Sequence, residues 1–140
     1  MTGTKVRPHP RAVHIEGVDG AVGVYRAHPA GGGLVEVTAT VAVGAAVHES
    51  AYVESRSVVG HGALVGPGCW IESDVTIGGD VQVGQNAHVG AGSRIGDGAW
   101  IGANARVGAG VVVAAGARVA HDARVADHAV VLGDRRRVAA

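Results

Sequence analysis

Residues 89–113 read VGAGSRIGDGAWIGANARVGAGVVV, and their period is six. Carried outward from Val89 in both directions, the step meets Val or Ile at every sixth position from Val35 to Val131, 17 in all. Four residues after each aliphatic stands a second column, from Ala39 to Ala129, that holds only Ala, Ser, Cys or Val and breaks at Arg135. The residue before each small one is turn chemistry. From Gly44 to Asp134 it is Gly, Asn or Asp in 13 of 16 repeats, with Ser50, Arg56 and His128 as exceptions. Gly, Asn and Asp are the residues that tolerate positive φ in a tight corner.

Each hexad therefore reads as a short strand and a corner. The small residue and the aliphatic are two apart, so in a strand both point to one side. That side is the interior. A strand this short buries nothing alone, so the hexads must wind into a solenoid of stacked rungs.

Composition agrees. The 140 residues include 24 Gly, two Trp, two Tyr and no Phe. Gly and Val are weak helix formers, which argues against helical packing. An apolar content of 47% is wrong for disorder. Twelve Lys+Arg balance twelve Asp+Glu, so neither nucleic acid nor an anionic membrane is expected as a partner. The single Cys69 excludes an internal disulfide and a Cys-based zinc site, and reads as a small buried residue. No apolar run approaches the length of a membrane span, and the N-terminal MTGTKVRPHPRAVHIEG has no apolar core, so no secretory signal is expected. The expected setting is the cytoplasm or a particle assembled inside the cell.

The hexads IGDGAW, IGANAR and VGAGVV follow [Leu/Ile/Val]-Gly-x-x-[small]-x, and the chain resembles the hexapeptide-repeat superfamily over residues 35–136. The resemblance implies an all-β, single-stranded, left-handed parallel β-helix with three hexads to a coil, about 5.7 coils in all. It also implies a homotrimer. Residues 1–34 lack the period and carry Pro8, Pro10, Pro29 and Gly31–Gly33, so they are expected to form an arm or cap, with a hairpin about Asp19-Gly20. Residues 137–140 are a tail.

An 18-residue coil sorts the outward residues into faces. Face one carries Leu34, Tyr52, Trp70, His88, Arg106 and Arg124 beside Glu36, Glu54, Glu72, Gly90 and Gly108. Its stacked Glu residues repel one another, and they read either as a solvated charged face or as neutralised by a partner's Arg or a cation. Tyr52 and Trp70, with Glu54 and Glu72, are candidate binding residues. Face two, with Val58, Val112 and Val130, is the flattest and least charged. It is the expected subunit contact, joined by Leu64 and Trp100 from face three.

Two functions follow from the resemblance. In acyltransferases of the family, a His in the cleft between subunits acts as general base on the acceptor, with acyl-CoA as donor. His88 is the residue that fits. The segment VVGHGALVGPGC is similar to that of γ-class carbonic anhydrases, with His61 at the first zinc ligand. Gly66 and Tyr25 stand where the other two would be, so no zinc triad and no metal is expected. Against acyl transfer, no loop interrupts the hexads. The expectation is thus a non-catalytic trimeric prism without cofactor, a structural or assembly component such as one of a virion, whose residues 1–34 dock on a protein partner. Acyl transfer with His88 as base is the alternative.

Overall fold

The computed structural model describes residues 12–16 and 22–133. Two strands precede the solenoid, β1 (Ala12–Glu16) and β2 (Val22–Ala27), and they pair antiparallel. Then come 17 short strands, from β3 (Leu34–Glu36) and β4 (Thr40–Val41) to β19 (Val130–Val131). Strands three apart in order pair in parallel, with partners 18 residues apart: Trp70 beside His88, Thr76 beside Arg94, Gln82 beside Trp100. Three parallel sheets result. The first runs β3, β6 (Tyr52–Val53), β9 (Trp70–Ile71), β12 (His88–Val89), β15 (Arg106–Val107) and β18 (Arg124–Val125), the second holds six strands and the third five. This is a three-sided parallel β-solenoid, the coil that the hexapeptide-repeat resemblance implies.

The interior is the two predicted columns. From Ala45 to Val119 every inward aliphatic and every small residue is at most 3% exposed. Val41, Val125 and Val131 are only partly covered because they lie in the end coils. With no ring wider than Ile inside, the backbones come close. Each coil's N–H groups are satisfied by the next, as Tyr52 N–H donates to the Cys69 carbonyl (2.9 Å) and Glu54 N–H to that of Ile71 (2.9 Å). Every corner position from Gly44 to His128 has positive φ except Ser50. Arg56 (φ 59°) and His128 (φ 64°) adopt it too, although neither is a turn residue by type.

Two buried serines replace Ala in the small column, and each plugs a corner of the next coil. Ser57 Oγ donates to the Glu72 carbonyl (2.5 Å) and accepts from Val75 N–H (3.1 Å). Ser93 Oγ does the same between the Gly108 carbonyl (2.8 Å) and Val111 N–H (3.1 Å). Both serines sit beneath a Val in the small column.

The described part of residues 1–34 is spent on the chain's own first coil. β2 pairs antiparallel with β3, Tyr25 opposite Glu36 and Ala27 opposite Leu34, so it covers the open edge of the first sheet. Gly33 N–H donates to the Val47 carbonyl (2.9 Å) and Val47 N–H to the Ala30 carbonyl (3.1 Å). Gly31 passes so close, with φ 100°, that a Cβ there would stand 2.2 Å from the Val47 oxygen. The Asp19-Gly20 turn and the Arg135–Arg137 cluster lie outside the described residues.

Candidate functional site

The outward side of the first sheet concentrates the chemistry. β6 (Tyr52–Val53), β9 (Trp70–Ile71), β12 (His88–Val89), β15 (Arg106–Val107) and β18 (Arg124–Val125) stack Tyr52, Trp70, His88, Arg106 and Arg124 in one column, about 4.8 Å apart. The residue two further along each strand direction supplies the neighbouring column, Glu54, Glu72, Gly90 and Gly108.

The contacts between the columns are diagonal. The Trp70 indole Nε1–H donates to Glu54 Oε2, and His88 Nε2 meets Glu72 Oε2, each pair 16 residues apart. An ionised carboxylate only accepts, so Nε2 carries the proton and Nδ1 keeps the lone pair. Nδ1 has no hydrogen-bond partner among the described residues. Trp70 lies flat on the imidazole, with ring centroids 4.4 Å apart and planes at 12°. The His88 and Glu72 side chains are 26% and 28% exposed, open enough to be reached and covered enough to be held.

The stacked carboxylates thus find partners within the chain and need no cation. Glu36, expected outward, is buried under β2 and takes the Thr38 N–H (2.7 Å) and Oγ1–H (2.5 Å). Glu54 also faces Ser73 Oγ (3.4 Å), which in turn meets Ser55 Oγ (3.0 Å). Tyr52 does not stack on Trp70; it packs edge-on against Tyr25, centroids 6.1 Å apart. Burial pushes the Tyr25 phenol up, and the Glu54 and Glu36 carboxylates push it further. Sequence reasoning placed Tyr52, Trp70, His88, Glu36, Glu54 and Glu72 on face one but missed the diagonal pairs. The signal was present as the spacing of 16 within a coil of 18.

Elsewhere, Val58, Val112 and Val130 are exposed on the second sheet, at 41%, 43% and 62%. Leu64 and Trp100 line a shallow apolar groove on the third sheet with Ala46, His48 and Gln82. The Arg118 guanidinium lies 5.7 Å above the Trp100 ring, and His121 meets that ring edge-on at 4.9 Å. These residues are not brought to the His88 site within one chain. His61 is an exposed corner residue, Tyr25 is buried, and among the described residues no three His, Cys, Asp or Glu side chains are grouped to hold a metal. Cys69 is buried, its Sγ–H directed at the Gly84 carbonyl (2.8 Å), and burial raises its thiol. No helix among the described residues is long and apolar enough to cross a membrane.

A family model described as bacterial transferase hexapeptide (six repeats) matches residues 62–97. No curated protein matches the sequence significantly. Among solved structures, a hexapeptide transferase family protein from Anaplasma phagocytophilum is 19% identical, covers 71% of this chain and 72% of its own, and superposes with a TM-score of 0.57. The acetyltransferase domain of PglB from Neisseria gonorrhoeae is 28% identical over 71% of this chain, with a TM-score of 0.50. This chain spans about half of that domain, 54%. A perosamine N-acetyltransferase from Caulobacter crescentus, solved with CoA and GDP-perosamine, is 24% identical over 71% of this chain and 49% of its own, with a TM-score of 0.37.

These comparisons overturn the expectation of a non-catalytic structural or virion component. The repeat model is that of transferases, and the similar structure of highest identity reported above is an acetyltransferase domain. The expectation rested on the missing loop, taken as a missing site. Face one needs no loop to orient an imidazole, because Glu72 and Trp70, one coil below, already hold His88 between a carboxylate and an indole.

Proposed function

We propose that this hexapeptide-repeat protein is an acyltransferase that moves an acyl group from acyl-CoA to an amine or hydroxyl, with His88 as general base. The observation that carries the reading is the His88–Glu72 pair on an outward, partly open sheet face. The 28% identity to an acetyltransferase domain supports the class of reaction.

Glu72 fixes the tautomer by accepting the hydrogen bond from Nε2–H and stabilises the imidazolium once it forms. Nδ1 accepts the acceptor's proton as its nitrogen or oxygen attacks the thioester carbonyl. When the C–S bond breaks, the same proton passes to the departing sulfur, so the imidazole ends as it began. Trp70 keeps water off one face of the ring. The donor implied is acyl-CoA. Self-association as a trimer, implied by the repeat family, would use the exposed valines of the second sheet or the Leu64–Trp100 groove.

Replacing His88 by Ala tests the reading. Turnover of acetyl-CoA, followed as thiol release with a panel of amines and alcohols, should fall by about 10²- to 10⁴-fold with the melting temperature unchanged. Equal turnover in His88→Ala would remove His88 from the role. Absence of thiol release by the parent protein with every acceptor would remove the activity.

A further inference from the structure

The diagonal pattern on face one stops at a definite step. Each outward residue reaches back 16 positions to a carboxylate, Trp70 to Glu54 and His88 to Glu72. The next steps lead from Arg106 to position 90 and from Arg124 to position 108, and both are Gly. The two residues that most need an acid stand where the register no longer supplies one. Neither makes an ion pair among the described residues; the pairs there are Arg56–Asp74 and His88–Glu72. Asp127 shares the neighbourhood, but its Oδ1 accepts the Ala109 N–H (2.9 Å).

Arg106 and Arg124 are register partners on adjacent strands, both exposed, and like charges opposed in this way destabilise a sheet. An anion between them offsets that repulsion. A Cβ at Gly90 would lie 2.5 Å from the Gly108 carbonyl carbon, so no side chain from this column can fill the place beside Arg106; beside Arg124, the place next to Gly108 is taken by Asp127 Oδ1. A shallow depression lies there, lined by His88, Arg106 and Arg124 and by the carboxylates of Glu72 and Asp127, which are already engaged by His88 Nε2 and the Ala109 N–H.

We infer that Arg106 and Arg124 form an anion subsite for a carboxylate or phosphate group on the acyl acceptor. Two guanidinium forks suit such a group. Position assigns it to the acceptor. Arg106 is one strand from His88, about 4.8 Å, and Arg124 two. In an acyl-CoA the whole pantetheine arm separates the phosphates from the thioester, so an anion this near the base belongs to the other substrate. The acceptor is then an amine or alcohol whose nucleophile sits a few bonds from its acid group. This assignment to an acceptor rests on the acyl-transfer reading; the anion site itself does not.

The test is calorimetric binding of phosphoethanolamine, ethanolamine and CoA to the full chain and to its Arg106→Gln/Arg124→Gln variant, with ¹⁵N NMR of the arginine side chains. Phosphoethanolamine should bind more tightly than ethanolamine and shift the Arg106 and Arg124 Nε–H signals. The double variant should lose about 10- to 100-fold of that affinity, keep its CoA affinity, and melt no lower than the parent. Arg106→Lys/Arg124→Lys should retain part of it. Equal phosphoethanolamine affinity in parent and Gln variant, or shifts at Arg94 and Arg118 as large as at Arg106, would overturn the inference. So would a loss that falls on CoA instead, which would place the anion on the donor. A parent that binds phosphoethanolamine at these residues but never turns over acetyl-CoA would sink the acyl-transfer reading and leave the anion site standing.

Discussion

Trp70 lies parallel to His88 at a 4.4 Å centroid distance, while its own N–H is held by Glu54 one coil below. Indole and imidazole are therefore held in parallel planes from two sides, since Glu72 fixes the imidazole at Nε2. In the proposed acyl transfer, Trp70 and Glu54 act only through His88, as positioning residues. Trp70→Ala should lower kcat by about tenfold or more and leave the KM for acetyl-CoA nearly unchanged. The His88 ring protons should move downfield in NMR as the indole's ring current disappears. Glu54→Gln, which keeps an acceptor for the indole N–H, should preserve both signatures. Equal kcat in Trp70→Ala and the parent would show the stack to be packing alone.

A period of six was enough to order nearly every residue from 35 to 133, because inward and outward follow from strand alternation alone. Face one was legible for the same reason: Trp70, His88, Arg106 and Arg124 had to share a column once the coil was 18. What stayed hidden depended on side-chain reach rather than register. Glu36 read as outward by position but is buried, because β2 folds back over it. Tyr52 shares a column with Trp70 by position but turns to Tyr25, a residue outside the period. The function was misread because the absence of an inserted loop was weighed as the absence of a site.

The buried serines make a local prediction. Ser93 Oγ donates to the Gly108 carbonyl and accepts from Val111 N–H, in a site with no exposure. Ser93→Ala leaves that amide without a close partner and should cost about 1–3 kcal/mol in denaturant unfolding. Ser57→Ala, the equivalent change at the Glu72 carbonyl and Val75 N–H, should cost a similar amount. Ala87→Gly in the same inward column removes no hydroxyl and so serves as the control. Its cost should come from backbone entropy, about 1 kcal/mol. A Ser93→Ala variant as stable as the parent would show that the corner closes on its own.

Arg56 and Asp74 occupy equivalent corners one coil apart and form a two-point ion pair, Nε to Oδ1 at 2.8 Å and a terminal nitrogen to Oδ2 at 3.0 Å. The Arg56 guanidinium holds the Asp74 carboxyl below its ordinary value of 3.8. A carboxyl depressed in the folded state contributes stability above its unfolded value, and that contribution is lost as pH falls through the folded one. Acid unfolding curves of the parent and Asp74→Asn should therefore differ near neutral pH and converge below about pH 3.8. Both side chains are more than half exposed, so salt should reduce the difference. A difference that persists unchanged at pH 2 would mean the pair is not its source.

Val89 is the strictest test of the interior. It is fully buried beneath the same strand that presents His88 outward, so its side chain and that of His88 point to opposite faces of one two-residue strand. Val89→Asp would place a carboxylate among Ile71, Val107 and the small column, with no cation inside to meet it. Burying an unpaired charge costs several kcal/mol, a large part of the stability of a domain this size. Circular dichroism should show the variant unfolded or melting far below the parent. Val89→Ile, which fits the pattern of Ile71, Ile95 and Ile101 at the same offset, should fold and keep the His88 surface intact. An Asp variant that folds as well as the Ile one would mean that position 89 does not face the interior.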